Sequence, residues 1–190
     1  MKVNDLLESS PVSPEGSITD DLLYSKIWIV QTLKKLNKTN FSTVYILGSW
    51  YSNMSIILSK LGITADKIIN VDKNKKHVEL GRKMVSDANI EIPIEHMIKD
   101  VNLLNYQQID QNSMVINTSI LDIDDSAWWD NIPKGTVVVL QSRNETNNTP
   151  HEKLSDLEND FPMSEILFKD TVQLEDPETK YHRFMIVGIK

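Results

Sequence analysis

The stretch Val44-Tyr45-Ile46-Leu47-Gly48 is an apolar run that closes on a glycine and leads into a helix-like segment. A second apolar run reaches an acid roughly twenty residues later, at Val71-Asp72. A glycine at this point permits a tight turn from strand to helix, and the acid can accept hydrogen bonds from ribose hydroxyls. The spacing therefore predicts a Rossmann-type unit that holds a nucleoside.

Strand and helix patterns alternate on both sides of this unit. The predicted strands lie at about 43–48, 67–71, 94–99, 113–117 and 136–140, and the predicted helices at about 21–37, 51–61, 74–88 and 151–160, with a short helical turn at about 125–130. Two final apolar segments, 163–168 and 184–189, are joined by the polar stretch 173–180, which favours a hairpin. Alternation of this kind implies a parallel sheet. The sequence predicts an α/β fold with a Rossmann-like, seven-stranded, mostly parallel sheet, helices on both faces and a C-terminal antiparallel hairpin.

The length of the chain favours one folded domain. It has 190 residues, of which 40% are hydrophobic, enough to bury a full core. Residues 1–17 contain two prolines, one glycine and four serines with little apolar periodicity, and they are predicted to form an irregular N-terminal arm. Residues 18–190 are predicted to form the single domain.

Composition excludes several classes of site and partner. The chain has no cysteine, so structural disulfides, thiolate zinc sites and a cysteine nucleophile are excluded. The acids Asp122, Asp124 and Asp125 lack the glycine and terminal Glu of a calcium loop, and no metal site is predicted. The net charge of -7 disfavours a dedicated binder of duplex DNA. Without a long apolar stretch or an export signal, the chain is expected to be cytoplasmic, with no membrane partner.

Over roughly residues 20–190 the chain resembles the class I S-adenosylmethionine-dependent methyltransferases. Gly48 stands where the family's first motif begins its loop, although further glycines are absent from Ser49-Trp50-Tyr51-Ser52. Asp72 matches the acid that holds the ribose hydroxyls, and Asp100-Val101 match the acid and backbone N–H near the adenine. The resemblance implies S-adenosyl-L-methionine as the cofactor. The implied contacts are Gly48, Ser49, Trp50, Tyr51, Asp72, Asp100 and Val101.

Within that class, the chain is similar to methyltransferase-like proteins of tailed bacteriophages. The similarity rests on Gly48 followed by Trp50-Tyr51, on Asn117-Thr118-Ser119 and on Leu140-Gln141-Ser142. It implies a phage-encoded protein that acts in the host cytoplasm. The chain departs from the pattern at Ile120-Leu121-Asp122, so no family role is carried over to those side chains.

Methyl transfer is an in-line displacement, and its catalysis is mostly a matter of positioning. Asn117 and Thr118 are the candidate catalytic residues, because they follow a strand beside the predicted crevice. They could equally close the strand end and cap a turn. Trp128 and Arg143 are the candidate acceptor contacts, with core packing as the alternative for Trp128.

Three functions from different classes stay open at this point. The first is a methyltransferase whose acceptor is a small molecule, a protein side chain or a single-stranded nucleic acid. The second is a non-catalytic protein of methyltransferase fold that serves as an interaction module or is associated with the virion. The third is an enzyme that degrades S-adenosylmethionine itself. Fold alone does not decide among them, because one fold hosts many activities.

Overall fold

The structure is a computed structural model and describes residues 19–144, 150–175 and 179–190. The predicted irregular arm lies outside the described residues. In chain order the helices are α1 (Asp20–Lys35), α2 (Asn53–Lys60), α3 (Lys75–Asp87), α4 (Ala127–Asn131) and α5 (Leu154–Asp160). The strands are β1 (Asn40–Leu47), β2 (Thr64–Asp72), β3 (Ile94–Ile98), β4 (Met114–Asn117), β5 (Val137–Arg143), β6 (Glu165–Glu175) and β7 (Lys180–Ile189).

One seven-stranded sheet organises the domain. Its strand order is β3-β2-β1-β4-β5-β7-β6. The first five strands pair in parallel, whereas β7 pairs antiparallel with both β5 and β6. The predicted seven-stranded, mostly parallel sheet with a C-terminal antiparallel hairpin is confirmed. β6 and β7 both extend into the stretch predicted to be their polar link, because β6 is an edge strand whose polar residues alternate with half-buried ones.

Alternation along the strands divides the core between the two faces of the sheet. In β1, Val44 and Ile46 join the cluster that contains residues of α1 and α2, and Tyr45 and Leu47 join the cluster that contains residues of α4 and α5. Central parallel strands covered on both faces are apolar along their whole length, which explains the uninterrupted run Val137–Leu140. Helices therefore lie on both faces, as predicted.

Helix α1 is tied to the end of the chain by buried polar contacts. The Tyr181 hydroxyl on β7 donates a hydrogen bond to the Asp21 carboxylate on α1. The Gln141 side-chain amide on β5 donates to the Ser25 carbonyl of α1 at 3.0 Å. These contacts fix the first described helix over the C-terminal half of the sheet.

The two tryptophans of α4 belong to the core. Trp128 and Trp129 are 1% and 3% exposed, and their rings lie 5.3 and 5.4 Å from the ring of Phe161. This burial contradicts the prediction that Trp128 contacts an acceptor. Its indole packs instead in the core cluster that contains residues of α4 and α5, because a large apolar ring gains more from burial than from a place at the rim of a cavity.

Candidate functional site

A cavity of about 750 Å³ lies where the parallel strands reach their carboxyl ends. Ligands of open α/β sheets bind in this position because a crevice opens at the carboxyl ends of the strands where the strand order reverses, here between β1 and β4. Of the predicted site residues, Gly48, Ser49, Trp50, Asp72, Asp100, Val101, Thr118 and Arg143 line the cavity. Tyr51, Asn117 and Trp128 do not. The structure thus brings together most of the set predicted from sequence.

The loop after β1 has the backbone conformation typical of a glycine-rich loop, although Gly48 is its single glycine. Gly48, Trp50 and Ser52 have φ of +63°, +50° and +63°, the left-handed region that favours glycine. The strain at Trp50 and Ser52 is compensated by contacts: the Trp50 N–H donates to Asp72 Oδ2 at 2.9 Å, and the Ser52 hydroxyl lies 3.1 Å from His96 Nε2. The missing glycines are therefore replaced by side chains that hold the same turn.

Close packing fixes this loop from two sides. A Cβ on Gly48 would lie 2.7 Å from Ser119 Cβ, and the Ser119 hydroxyl donates to the Gly48 carbonyl at 3.0 Å. On the other side, a Cβ on Gly81 of α3 would lie 2.5 Å from Ser52 Oγ. The loop after β1 is thus held between the loop after β4 and helix α3.

Asp72 is the central acid of the site. Its side chain is mostly buried, and its Oδ1 accepts from the Asn74 N–H at 2.8 Å while Oδ2 accepts from the Trp50 N–H. Each carboxylate oxygen has a second lone pair for a further donor. Asp72 can therefore brace the loop and still accept hydrogen bonds from a ligand in the cavity.

An aromatic cluster made of Trp50, Tyr51 and His77 lies beside Asp72. The rings of Trp50 and Tyr51 stack at 5.0 Å, and the Trp50 indole N–H donates to His77 Nε2 at 3.2 Å. An indole nitrogen only donates, so the proton of a neutral His77 ring lies on Nδ1, which is 3.6 Å from Asp72 Oδ1. Trp50 and His77 line the cavity, whereas Tyr51 packs against both of their rings and does not line it. A direct contact between Tyr51 and a cofactor is therefore not supported by the geometry.

The turn after β3 presents a carboxylate and a backbone donor. Asp100 Oδ1 caps the following turn of 3₁₀ helix by accepting from the Asn102 N–H at 2.9 Å. The Val101 N–H donates no hydrogen bond within the described part of the chain. Both residues line the cavity, so the second carboxylate oxygen and the N–H can meet a polar ring edge there.

Asn117 and Thr118 have different environments. Asn117 is fully buried, and its Oδ1 accepts from the Ser119 N–H at 2.9 Å. The side chain shapes the turn after β4, which contradicts the prediction that Asn117 touches the reactants. Thr118 lines the cavity, and its carbonyl accepts from Arg183 Nη2 at 3.1 Å. Of the two predicted catalytic residues, only Thr118 lines the cavity.

Sequence reasoning missed two cations in the wall of the cavity. Lys26 on α1 is half-buried and Arg183 on β7 is 4% exposed, and both line the cavity beside Arg143. Burial, with Arg183 nearby, lowers the pKa of Lys26 to about 8, and Asp21 partly opposes the effect. No motif could have found this pair, because the two residues come from opposite ends of the chain.

A buried histidine links β5 to α5 next to the cavity. The Ser142 hydroxyl lies 2.7 Å from His151 Nδ1, and His151 Nε2 lies 3.2 Å from Asp160 Oδ2. Ser142 lines the cavity, whereas His151 is 2% exposed. Burial lowers the pKa of His151, with Asp160 opposing, so the ring favours its neutral form. The histidine holds the chain after β5 against α5.

Neither a metal-binding group nor a membrane-spanning helix is found among the described residues. They contain no group of three or more His, Asp or Glu side chains arranged to hold a metal ion. Every helix among them is too short or too polar to cross a membrane.

Comparison with solved structures finds the same fold in methyltransferases. A provisionally named RNA methyltransferase from Pyrococcus horikoshii matches with a TM-score of 0.71 at 13% identity, over 99% of this chain and 98% of that chain. The N-methyltransferase NodS from Bradyrhizobium japonicum, solved with S-adenosyl-L-homocysteine, gives 0.66 at 9% identity, over 98% and 97%. The precorrin-6y C5,15-methyltransferase of Geobacter metallireducens gives 0.58 at 15% identity, over 92% of each chain. No protein-family model and no curated protein sequence matches the chain.

These similarities establish the methyltransferase fold. With identities from 9% to 15%, they carry no residue roles to this chain. They also give no support to the resemblance to phage proteins, which rested on short segments of sequence.

Proposed function

We propose that the protein is an S-adenosylmethionine-dependent methyltransferase. One observation carries the proposal: Gly48, Asp72 and Asp100, at the ends of three neighbouring parallel strands, line a single cavity in a methyltransferase fold. An isolated acid after a strand is usually a cap. Three such positions around one cavity match the spacing that a nucleoside requires.

The residues present fit the cofactor. Ser49 Oγ is buried at the cavity wall with no hydrogen-bond partner among the described residues, and the Val101 N–H is also without one. Buried polar groups are normally satisfied, so these two favour a polar ligand. Asp72 would hold the ribose, Asp100 and Val101 the adenine, and Trp50 the methionyl part. A cavity of about 750 Å³ is within the range that binds ligands of this size.

When bound, the cofactor supplies an activated methyl group on a sulfonium. The chain's own contribution is to position the two reactants and exclude water from the methyl group. Thr118 and Arg143 line the part of the cavity next to the ends of β4 and β5, where the acceptor would enter. The electron-rich face of Trp50 favours a cation beside it.

Calorimetric titration with S-adenosyl-L-methionine and S-adenosyl-L-homocysteine tests the proposal. We expect micromolar binding to the unmodified chain and a loss of at least about a hundredfold in Asp72→Ala, because two ribose hydrogen bonds to a charged group disappear. Asp66→Ala is the matched control, since Asp66 is an exposed acid nearer the amino end of the same strand. Retained affinity in Asp72→Ala would contradict the proposal.

The identity of the acceptor belongs to the same proposal. A small molecule, a protein side chain or a single-stranded nucleic acid is favoured over duplex DNA, because a net charge of -7 repels an extended phosphate backbone. Bacteriophage origin and a cytoplasmic location stay predictions from the sequence. A non-catalytic role would give cofactor binding without turnover on any acceptor, and a degrading enzyme would consume the cofactor with no acceptor present.

A further inference from the structure

Three cationic side chains line the end of the cavity that lies over β5 and β7. Lys26 comes from α1, Arg143 from the end of β5 and Arg183 from the facing strand β7. Arg143 pairs with Arg183 in the strand register, and its guanidinium carbon lies 5.9 Å from the centre of the Tyr181 ring. We refer to Lys26, Arg143 and Arg183 as the cationic end of the cavity.

Arg183 is held by neutral acceptors only. Its Nε and Nη2 each lie 3.4 Å from Gln141 Oε1, and Nη2 also donates to the Thr118 carbonyl. Nη1 donates no hydrogen bond within the described part of the chain. A buried guanidinium is costly unless a carboxylate or other anion compensates it, and Arg183 forms no ion pair with a described residue.

Lys26 likewise has no anionic partner among the described residues. Its ammonium forms no ion pair or hydrogen bond with any described residue, although it is half-buried. The nearby carboxylate of Asp21 accepts the Tyr181 hydroxyl and lies outside the cavity lining. The acids Asp72 and Asp100 lie instead at the ends of β2 and β3, on the far side of β1 and β4. Asp21 and Asp122 act on Arg183 at longer range, but neither forms an ion pair with Arg183 or Lys26. Among the described residues, these two buried or half-buried cations therefore have no carboxylate in direct contact.

We propose that the cationic end binds an oxyanion, the carboxylate or phosphate group of the methyl acceptor. A planar guanidinium and an ammonium on two sides of a partly desolvated cavity are the donors that such groups select. The anion completes the hydrogen bonds that Arg183 and Lys26 lack and anchors the acceptor beside Thr118. The inference rests on the proposed function, since it assigns a substrate class to the same cavity.

The site is tested on the full chain without cofactor, by titrating acetate and, separately, sulfate at constant ionic strength set with chloride. Binding is followed by NMR through the Nε–H signal of Arg183 and backbone amides near Thr118. We expect saturable shifts with one of the two anions. Tighter binding of acetate assigns a carboxylate, and tighter binding of sulfate assigns a phosphate group. Absence of saturable shifts with both anions overturns the inference.

Variants show whether the shifts come from the cationic end. Lys26→Gln removes a charge that forms no ion pair or hydrogen bond with a described residue, and we expect the anion affinity to fall about tenfold. Arg183→Gln should abolish binding, but its burial makes loss of folding possible, so Lys26→Gln is the deciding variant. Lys35→Gln is the matched control, because Lys35 is exposed on the same helix. Equal affinity in Lys26→Gln and Lys35→Gln overturns the inference.

Proton uptake gives an independent signature. The charged groups that act on Lys26 are Arg183 on β7 and Asp21 on its own helix, and Arg143 on β5 lines the same cavity. Because the Lys26 pKa is near 8, an anion beside it favours the protonated amine and binding takes up a proton. Anion affinity should fall from about pH 7 to about pH 9 in the unmodified chain and stay flat in Lys26→Gln. A pH dependence that persists unchanged in Lys26→Gln contradicts the assignment.

The anion titration and the cofactor titration test different claims, so either can fail while the other succeeds. Binding of S-adenosyl-L-homocysteine without anion binding overturns the oxyanion site and leaves the proposed methyltransferase standing. Anion binding without binding of either adenosyl compound supports an oxyanion site, contradicts the methyltransferase and with it overturns the assignment of the anion to a methyl acceptor.

Discussion

At Gly48 two separate constraints act on one residue. Its φ of +63° is strained for any side chain, and an added Cβ would meet Ser119 Cβ at 2.7 Å. Gly135 has only the first constraint, because its φ is +89° and an added Cβ meets nothing within 4 Å. We expect Gly48→Ala to lower the free energy of unfolding by about 2–4 kcal/mol and Gly135→Ala by about 1 kcal/mol, measured by urea denaturation.

Removing the second partner isolates the steric part of the Gly48 effect. In a Gly48→Ala, Ser119→Gly double variant the contact is gone, so the two substitutions together should cost less than the sum of their separate effects. Additive losses, or equal losses for Gly48→Ala and Gly135→Ala, would show that the loops after β1 and β4 do not pack as closely as described.

The sequence was sufficient to predict which residues line the cavity where that follows from their place at the end of a strand. Gly48, Asp72 and Asp100 each stand at or just after the end of a predicted strand, and parallel strands bring such ends to one edge of the sheet. It was insufficient for Asn117 and Trp128, because the direction of a side chain at the end of a strand or on a short helix depends on packing that no spacing encodes. Lys26 and Arg183 were invisible for a related reason: nothing in the sequence pairs the first described helix with the last strand.

At the scale of elements, His96 connects β3, α3 and the loop after β1. Its Nε2 lies 3.1 Å from the Ser52 hydroxyl, and its carbonyl accepts from Arg82 of α3 at 3.2 Å. Burial, reinforced by Arg82, lowers the pKa of His96 to about 4. The His96 ring is therefore protonated below about pH 6.5 in the unfolded chain but stays neutral down to about pH 4 in the folded chain. Folding stability is lost as the pH falls from about 6.5 toward about 4.

The burial of His96 predicts how steeply the free energy of unfolding depends on pH. Between pH 7 and pH 5 we expect His96 to account for a loss of about 1–2 kcal/mol in the free energy of unfolding. His96→Gln should flatten the slope by that amount, although its stability at pH 7 falls with the lost contact to Ser52. His182→Gln removes a histidine from the exposed surface of β7 and serves as the control. Identical slopes in His96→Gln and the unmodified chain would contradict the burial argument.

The bounds of a strand were easiest to predict where burial imposes a clear apolar pattern on its sequence. The run Val137–Leu140 is apolar throughout because β5 is covered on both faces, and the strand was predicted as far as Leu140 but not through its polar residues 141–143. In β6 only the segment up to Phe168 was predicted, because Lys169 and Asp170 interrupt the apolar pattern. The strand continues through them by pairing with β7 on one side alone, an arrangement that tolerates exposed polar residues.

At the scale of the whole molecule, the chain closes on itself where α1 meets β7. Tyr181 is 1% exposed and Asp21 is 8% exposed, so the hydrogen bond between them replaces the water that both groups lost on folding. Tyr181→Phe leaves a buried carboxylate without this donor, and we expect the free energy of unfolding to fall by about 2–3 kcal/mol. Tyr24→Phe, at a tyrosine on the same helix that is 55% exposed, should cost under about 0.5 kcal/mol.

The same substitution separates the two ends of the cavity. Helix α1 contributes Lys26 to the cationic end, whereas Asp72 and Asp100 are carried by strands that α1 does not hold through this bond. Tyr181→Phe should therefore weaken sulfate or acetate binding while leaving the affinity for S-adenosyl-L-homocysteine within about twofold, in NMR and calorimetric titrations below the unfolding transition. Parallel losses of both affinities would mean that the whole cavity depends on α1. A selective loss of anion binding shows that the first helix positions the acceptor end, because the sheet alone supports the cofactor end.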